Sequence, residues 1–386
     1  MSEASQGTGP EALPPDSALI GNARLAPADE GISVSGSLAN TPATPVAVAT
    51  DVGAWRVLSP VLHELQRRQT PCRIMLAEPC ATIAAQDGVL HARLTAATPV
   101  ERAETVLATR PSALLLGTSV QAVAERALTL QARGRVPTLA VLDAMLFVER
   151  RFGERLAELP DLVACPDQAT ADRLLQAGAP AAALAVTGNP TLEEIARQSF
   201  PALPGIQPDQ PTDILFVSSP VGSMRLRGAY FAIDEGEALA DIMAALAALR
   251  DLSPAGFRVR VRLHPVQRAD QWPEPPPGVV LATDPDPDRL RSCAQARIVV
   301  GLSSTLLGEA RLLPRAAIAY LPGPFWEQER VFGPEYGVRL APNPAALHAM
   351  LREALQEPPA PPPVAGHLGA AGRIAALLET LIPRRA

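Results

Sequence analysis

The sequence predicts an α/β fold in which two Rossmann-like domains face each other across a cleft. Short apolar runs alternate with helical patterns of about 10–15 residues, which is typical of βαβ units and of a parallel sheet. The alternation begins near residue 45 and starts again beyond a proline-rich stretch near residue 200. A length of 386 residues is enough for two packed domains.

The first half of the chain carries the first of these domains, which we place at 45–198. Apolar runs predict strands at 46–50, 72–77, 112–117, 137–143, 161–166 and 183–190. Helical patterns lie between or after them, at 55–68, 99–109, 120–133, 168–178 and beyond 190. Residues 1–44 are rich in Pro, Gly, Ala and Ser without periodicity, so we predict a disordered leader there.

The second half repeats the pattern after a linker at 199–212, and we place the second domain at 213–356. Strands are predicted at 213–219, 257–263, 278–283, 296–301 and 316–321. Helices are predicted at 235–250, from Ser303 onward and near 344–355. A proline-rich link, 357–369, leads to a C-terminal helix at 370–386, which we expect to cross back over the first domain. A role for this amphipathic helix at a membrane surface is the less favoured alternative.

The composition excludes several functional classes. All 34 basic residues are arginine, so no Walker lysine or Schiff-base lysine exists. A net charge of −6 gives no reason to expect a nucleic-acid partner. The four cysteines form no C-x-x-C pair, and we expect no metal and no cofactor. The sequence shows no signal-peptide pattern and no apolar run of about 18 residues, which predicts a cytoplasmic protein.

The stretch VVGLSSTLLGEARLL, 299–313, is the strongest candidate for a binding site. An apolar strand is followed by Ser303, Ser304 and Thr305 at the start of a helix, where hydroxyls and free N–H groups can hold a phosphate. Glu309 lies six residues after the first serine, about 9 Å along a helix, which is roughly the span from a diphosphate to its ribose. The alternative is an ordinary helix cap followed by a solvent-facing glutamate.

Two further strand ends of the second domain carry polar groups. The segment RLHPV, 262–266, presents His264 where a proline ends the strand. Ser219 ends the strand at 213–219, and the loop at 220–230 carries Arg225 and Arg227, which are suited to phosphate. His264 taken alone is more simply a structural or surface histidine.

Four segments resemble the GT-B superfamily, in particular the non-hydrolysing UDP-N-acetylglucosamine 2-epimerases. These segments are ALLLGTSVQAV (113–123), VPTLAVLDAML (136–146), AVTGNPTLEEI (185–195) and GLSSTLLGEA (301–310). The similarity spans about 45–355. It implies a GT-B fold, with Ser303, Ser304 and Thr305 at the diphosphate of a nucleotide and Glu309 at its ribose.

The sequence departs from the epimerases at residues that their chemistry needs. Thr118 stands where they have an acidic residue, Asp143 replaces a glutamate, and the loop after residue 217 lacks their catalytic histidine. The His-Pro pair and the Ser-Ser-Thr cluster resemble those of bacterial sialyl- and polysialyltransferases and CDP-glycerol-type polymerases. The sequence therefore predicts a metal-independent glycosyltransferase of surface polysaccharide or glycoconjugate synthesis.

The remaining predictions concern the acceptor side of the cleft. Asp51 and Asp143 are candidate bases for an acceptor hydroxyl, and for each the alternative is a helix cap. We place Gly53, Thr118 and Asn189 on the same side. The expected partners are a nucleotide-sugar donor and a glycan or small-molecule acceptor, and a homodimer is left open. The rival functions are an epimerase-like isomerase or hydrolase and a catalytically degenerate nucleotide-binding protein.

One charged segment was assigned no function. VERRFGERL, 148–156, is rich in charge and predicts a helix with a solvated face.

Overall fold

The computed structural model describes residues 44–119, 122–144, 147–222, 232–264, 267, 272–324, 330–361 and 364–383. The predicted leader at 1–44 lies outside these ranges except for its last residue. The described residues form two parallel sheets of seven and six strands, joined by helices.

The first sheet has the strand order β3-β2-β1-β4-β5-β6-β7, and all of its pairs are parallel. Its strands are β1 (Val46–Ala49), β2 (Arg73–Leu76), β3 (Ala92–Arg93), β4 (Leu114–Gly117), β5 (Thr138–Val141), β6 (Leu162–Cys165) and β7 (Leu184–Val186). The central strands are buried along their whole length, because helices cover both faces of a parallel sheet. Uninterrupted apolar runs in the sequence follow from that burial.

Six helices accompany the first sheet. They are α1 (Val52–Arg67), α2 (Cys80–Gln86), α3 (Pro99–Ala108), α4 (Val123–Ala132), α5 (Gln168–Gln176) and α6 (Pro190–Ala196). Polar side chains cap the N-termini of several of these helices. Asp51 caps α1, Asn189 caps α6, and Thr98 with Glu101 forms a capping box on α3.

The second sheet has the strand order β10-β9-β8-β11-β12-β13 and is also parallel. Its strands are β8 (Thr212–Val217), β9 (Phe257–Arg262), β10 (Val279–Thr283), β11 (Ile298–Gly301), β12 (Ala316–Tyr320) and β13 (Arg339–Ala341). Its helices are α7 (Glu235–Ala247), α8 (Arg289–Gln295), α9 (Thr305–Leu312) and α10 (Pro344–Gln356). Five of these six strands and three of these four helices were predicted from the sequence.

The last helix, α11 (Ala370–Leu381), packs on the first domain as predicted. Its apolar face, which includes Ile374 and Leu378, shares a core with Trp55 and Leu58 of α1. Arg68, at the end of α1, adds an ion pair with Glu379 at 3.1 Å. The apolar face of α11 is therefore buried against the first domain.

Two segments connect the domains, the linker at 199–212 and the link at 357–369. Buried arginines of the second domain bind the backbone of both segments. Arg315 is fully buried and donates to the backbone oxygens of Pro201 and Ala202 at 2.9 and 3.1 Å. Arg311 donates to the oxygen of Ala360 at 2.6 Å. A guanidinium carries five donors in a fixed plane, so one arginine can satisfy several carbonyls at once.

Helix α6 joins the two domains directly. Leu192 and Ile195 belong to the hydrophobic core of the second sheet. Glu193, on the same helix, accepts hydrogen bonds from the backbone N–H groups of Gly369 and Ala371 at 2.6 and 2.8 Å. This helix thereby fixes the position of the first domain beside α9.

Several elements did not follow from the sequence. We predicted no element for α2, β3, α8 or β13, which are short. The segment 148–156 is not a solvated helix, because it forms two 3-10 turns and buries Arg151. Apart from these, the order and type of the elements agree with the prediction.

Gly117 lets β4 approach α1 closely, and we expect Gly117→Ala to lower the free energy of unfolding. A methyl group there would overlap the Ala54 Cβ and lie 3.0 Å from its Cα, in a core that cannot move aside. Overpacking of this kind costs about 1–3 kcal/mol. Urea denaturation measures the loss, and Gly205→Ala is the control, since its nearest atom would be 3.8 Å away. Equal midpoints for the two variants would contradict the prediction.

Candidate functional site

Three strand ends of the second sheet meet at one edge, as the sequence predicted. Ser219 follows β8, His264 follows β9, and Ser303 follows β11. The Ser219 hydroxyl is buried and donates to the Ser303 backbone oxygen at 2.8 Å, so it braces the loop before α9. The helix cap is Ser304 rather than Ser303, because the Ser304 hydroxyl accepts from the Leu306 N–H at 3.2 Å.

Glu309 is buried behind this hydroxyl cluster of Ser303, Ser304 and Thr305. Its side chain is about 3% exposed, so the alternative of a solvent-facing glutamate is wrong. Arg289, the first residue of α8, donates from Nε to Glu309 Oε2 at 2.7 Å. Because that bond takes one carboxylate oxygen, Oε1 is the atom left for a ligand among the described contacts.

A carboxylate fixes the loops after β8 and β9. Glu235, the first residue of α7, accepts from the Gly222 N–H at 2.9 Å and from Gln267 Nε2 at 3.0 Å. Gln267 in turn accepts from the His264 N–H at 3.0 Å. Desolvation in the cleft lowers the pKa of the exposed His264 imidazole, while the negative charge of Asp51 acts in the opposite direction.

Asp51 and Gly53 lie opposite, at the end of β1. The Asp51 carboxylate accepts from the Gly53 N–H at 2.9 Å, so the helix-cap interpretation of Asp51 is confirmed. A methyl group on Gly53 would stand 2.7 Å from Asp143 Oδ2, which places the two predicted carboxylates on either side of the start of α1. The absence of a side chain at Gly53 makes room for that approach.

Asp143 is held by two residues from different elements. Arg151 pairs with its Oδ1, and the Asn189 side chain donates to its backbone oxygen at 2.8 Å. Arg151 also contacts Thr118, donating to its backbone oxygen at 3.2 Å. Arg151 is about 6% exposed and the Asp143 side chain 17%. The Asp143 carboxylate is therefore fixed by a guanidinium and reaches the cleft only in part.

A buried acid that the sequence did not suggest supports the same loop. Glu125 on α4 is about 3% exposed. It accepts from the Thr50 N–H at 2.7 Å and from the Thr50 hydroxyl at 2.7 and 2.9 Å. Burial raises the pKa of Glu125 to about 7, although the hydrogen bonds from Thr50 act against that rise.

Arg56 lies on the first turns of α1, where charges of both domains act on its guanidinium. Desolvation lowers the pKa of its guanidinium, the charge of Arg289 lowers it further, and Glu309 and Asp51 raise it. Its own helix is tied to α6 by a bond from the Thr191 hydroxyl to the Arg56 backbone oxygen at 2.9 Å. The two sides of the cleft are thus close enough for their charges to interact.

The structure places the predicted residues unequally. His264, Glu309 and the hydroxyl cluster lie at strand ends and on α9 of the second domain, and Asp51 and Gly53 lie at the start of α1 in the first. Thr118 and Asn189 are both buried, and Asn189 bonds to the backbone oxygen of Asp143, whereas Thr118 contacts its partner Arg151. Arg225 and Arg227 lie outside the described residues.

The described residues contain neither a cluster of metal-ligating side chains nor a membrane-spanning helix. In the part of the chain that the structure describes, no group of three or more His, Cys, Asp or Glu side chains could hold a metal ion. Among the helices in the same residues, none is both long and apolar enough to cross a membrane.

Comparison with solved structures identifies the fold. UDP-GlcNAc 2-epimerase from Methanocaldococcus jannaschii matches 87% of this chain and 99% of its own, with a TM-score of 0.61 at 14% identity. S. aureus MnaA in a co-structure with UDP matches 89% of this chain and 98% of its own, with a TM-score of 0.60 at 15% identity. MurG from Acinetobacter baumannii matches 87% of this chain and 99% of its own, with a TM-score of 0.52 at 13% identity.

The chain therefore has the GT-B fold, as the sequence predicted. Within that fold it is similar to UDP-GlcNAc 2-epimerases and to glycosyltransferases alike. No known family profile matches the sequence, and no curated protein matches it.

Proposed function

We propose that this protein is a glycosyltransferase that binds a nucleotide-activated sugar in the cleft and transfers the sugar to a glycan or small-molecule acceptor. The observation that carries the proposal is the hydroxyl cluster at the start of α9, with buried Glu309 behind it and the carboxylates of the first domain opposite. Structural neighbours bind UDP or UDP-GlcNAc, which supports this ligand class. Surface polysaccharide or glycoconjugate synthesis is the proposed context.

The second domain is suited to the nucleotide part of such a donor. The diphosphate binds at Ser303, Ser304 and Thr305, where the N–H groups at the start of α9 and the helix dipole favour negative charge. Glu309 Oε1 accepts a hydrogen bond from a ribose hydroxyl while Oε2 stays with Arg289. His264 stands beside the leaving diphosphate. Donors of these kinds stabilise the charge that develops on a leaving group without a metal.

The first domain is suited to the acceptor. Transfer to a hydroxyl requires a base that takes its proton. Asp51 and Asp143 Oδ2 flank the start of α1, beside Gly53, and are the two carboxylates available there. Asp51 is the better placed of the two, because Arg151 occupies one oxygen of Asp143.

The ion pair between Arg151 and Asp143 favours a second candidate function, which is nucleotide binding without turnover. Arg151 occupies one oxygen of Asp143, which leaves less of this carboxylate accessible to an acceptor hydroxyl. With an acidic residue also lost at Thr118, the first domain retains fewer groups for chemistry. A degenerate nucleotide-binding protein would keep the hydroxyl cluster and Glu309 and would not depend on Asp51.

A thermal-shift panel of UDP, CMP, CDP, GDP and their sugar conjugates tests the nucleotide site. We expect one nucleotide to stabilise the wild type, and Glu309→Gln to weaken its binding by about tenfold, as the loss of one charge-assisted hydrogen bond predicts. Glu353→Gln is the matched control, because it breaks an exposed ion pair with Arg339 on the outer side of α10. A flat response from folded wild type across the panel would overturn the proposal.

Turnover separates the two candidate functions. With the nucleotide identified, release of that nucleotide from its sugar conjugate is measured for the wild type, Asp51→Asn and Asp143→Asn. A transferase loses turnover in at least one of these variants while nucleotide affinity is kept. A nucleotide-binding protein shows affinity and no release in any of the three.

A further inference from the structure

We propose that His367 is a positioning residue, which fixes Asn189 and through it Asp143 only while its imidazole is unprotonated. Acid then loosens the acceptor side of the cleft. The effect on turnover rests on the proposed function, whereas the contact and its dependence on protonation do not. His367 lies in the proline-rich link and is buried, and it belongs to none of the motifs that suggested a site.

Asn189 connects His367 to the candidate base. The Asn189 backbone N–H donates to His367 Nδ1 at 3.2 Å. The Asn189 side chain donates from Nδ2 to the Asp143 backbone oxygen at 2.8 Å. Its Oδ1 accepts from the N–H groups of Thr191 and Leu192 at 2.9 and 3.1 Å, so both ends of the amide are engaged. The position of Asn189 therefore depends on the imidazole, and that of Asp143 depends on Asn189.

The bond between Asn189 and His367 requires a neutral imidazole. A backbone N–H can only donate, so Nδ1 of His367 accepts and the proton of the neutral ring is on Nε2. A protonated imidazole carries a hydrogen on both nitrogens and cannot accept. Protonation therefore breaks the bond and sets two N–H groups against each other inside the protein, which is unfavourable. Burial lowers the pKa of His367, in agreement with an uncharged ring in the folded protein.

Among the described contacts, none of the surrounding charges pairs with the imidazole. The charged side chains on the elements around His367 are Asp167 before α5, Glu193 of α6, Arg373 of α11, and Arg330 with Glu335 beside Tyr336. The negative charge of Asp167 favours the protonated ring, and the positive charge of Arg373 opposes it. Glu193 is bound by backbone N–H groups near the start of α11, and Arg330 pairs with Glu335 at 2.9 Å. A protonated ring thus gains no direct partner in the closed contact.

The second domain covers the ring of His367. Tyr336, in the 3-10 turn before β13, stacks on the imidazole with 5.2 Å between the ring centroids and 15° between the ring planes. Its hydroxyl donates to the Asp167 carboxylate of the first domain. Phe332 extends the stack, with 4.2 Å between its ring centroid and that of Tyr336. The imidazole is therefore shielded from water by side chains at the contact between the two domains.

Loosening of Asn189 acts on a carboxylate at the cleft. Asp143 Oδ2 borders Gly53, where a methyl group would stand 2.7 Å from it. Without the bond from Asn189, Asp143 keeps only its pair with Arg151 among the described contacts. We therefore expect acid to displace Asp143 and to leave nucleotide binding at α9 unaffected.

Hydrogen exchange of the segment 187–192, measured by mass spectrometry on the full chain, tests the contact without any nucleotide. In His367→Asn the side-chain oxygen can replace Nδ1 as the acceptor, and it does not titrate. In the wild type the open contact takes up a proton below the ordinary imidazole pKa of about 6.5, so opening is favoured about tenfold at pH 5.5 and not at pH 8. We expect the ratio of the wild-type exchange rate to that of His367→Asn to rise about tenfold between pH 8 and pH 5.5.

Two further variants control the measurement. His63→Asn replaces an exposed histidine of α1 and should exchange as the wild type does at both pH values. His367→Phe keeps an aromatic ring for the stack with Tyr336 and lacks an acceptor, so it should exchange fast at both. Circular dichroism shows whether each variant folds. If His367→Asn does not fold, wild-type rates normalised to those of the unstructured peptide 187–192 give the same ratio.

An exchange ratio that stays constant between pH 8 and pH 5.5 overturns the proposal, because His367 then does not hold Asn189 through its protonation state. Turnover gives a second test: kcat should fall more steeply with acid in the wild type than in His367→Asn, while their nucleotide affinities stay equal. Equal kcat profiles would show that Asp143 is not positioned through His367. A flat nucleotide panel with pH-dependent exchange rejects the proposed function and retains the His367 contact, and nucleotide binding with a constant exchange ratio rejects only that contact.

Discussion

Replacing Arg151 with methionine is expected to lower the free energy of unfolding by about 3 kcal/mol at pH 7, the scale for removing one partner of a buried ion pair. Arg151 is buried and neutralises Asp143, while also bonding to the Thr118 backbone oxygen at 3.2 Å. Methionine fills a similar volume, so the loss reports the uncompensated carboxylate rather than a cavity. Urea denaturation followed by circular dichroism measures it.

The double variant Asp143→Asn with Arg151→Met separates charge from packing. With the carboxylate removed as well, no buried charge is left without a partner, and at least half of the lost stability should return. Arg126→Met is a comparison on the same side of the domain, where Arg126 is half-buried and pairs with Glu158 at 3.1 Å. A double variant less stable than Arg151→Met alone would show that the pair does not act through charge.

Most strands could be predicted because parallel sheets covered on both faces require apolar runs. The runs of β1, β4 and β11 are four residues each and completely buried. The strand β13 has three residues, two of them only half-buried, so no such run marks it. The seven-residue helices α2 and α8 are too short to show a periodicity of 3.6.

Candidate binding residues near a helix start could be predicted from local sequence, since hydroxyls after a strand and before a helix serve either a cap or an anion. The burial of Glu309 carried a local signal too. Five of the eight residues of its helix are Leu, Ala or Gly, which favours burial. Thr305, Glu309 and Arg311 interrupt that pattern, so the sequence leaves the alternative of a solvent-facing side chain open.

The partners of these residues could not be predicted, because they depend on packing between distant segments. Arg151 lies in a charged stretch whose composition indicates a solvated face, and only the fold places it against Asp143 and Thr118. Arg56 is one arginine on an amphipathic helix, and only the fold joins its turn of α1 to α6 through the bond from the Thr191 hydroxyl to the Arg56 backbone oxygen. Sequence spacing contains no information on either contact.

Glu125 is expected to make the free energy of unfolding depend on pH. We expect Glu125→Gln to remove that dependence. Burial raises the pKa of Glu125 from an ordinary value near 4.5 to about 7 in the folded protein, so folding favours the protonated acid. The stabilisation is complete below about pH 4.5 and is lost as the pH rises through about 7. Over that interval the wild type should lose about 3 kcal/mol relative to Glu125→Gln.

The glutamine side chain can accept from the Thr50 N–H and donate to the Thr50 hydroxyl, so it replaces the bonds that the acid makes. Urea denaturation of both proteins at pH 4.5, 6 and 8 gives the difference between their free energies of unfolding, in which titrations common to both cancel. Glu104→Gln is the matched control, because it replaces an exposed carboxylate of α3 that makes no described hydrogen bond. If the stability difference from wild type has the same pH dependence for Glu125→Gln and for Glu104→Gln, ionisation of Glu125 does not cause the loss of stability between pH 4.5 and 7. If the difference in free energy of unfolding changes with pH as predicted, the acid that bonds to Thr50 is half-ionised near neutral pH. The stability of the loop that carries Asp51 then varies with pH.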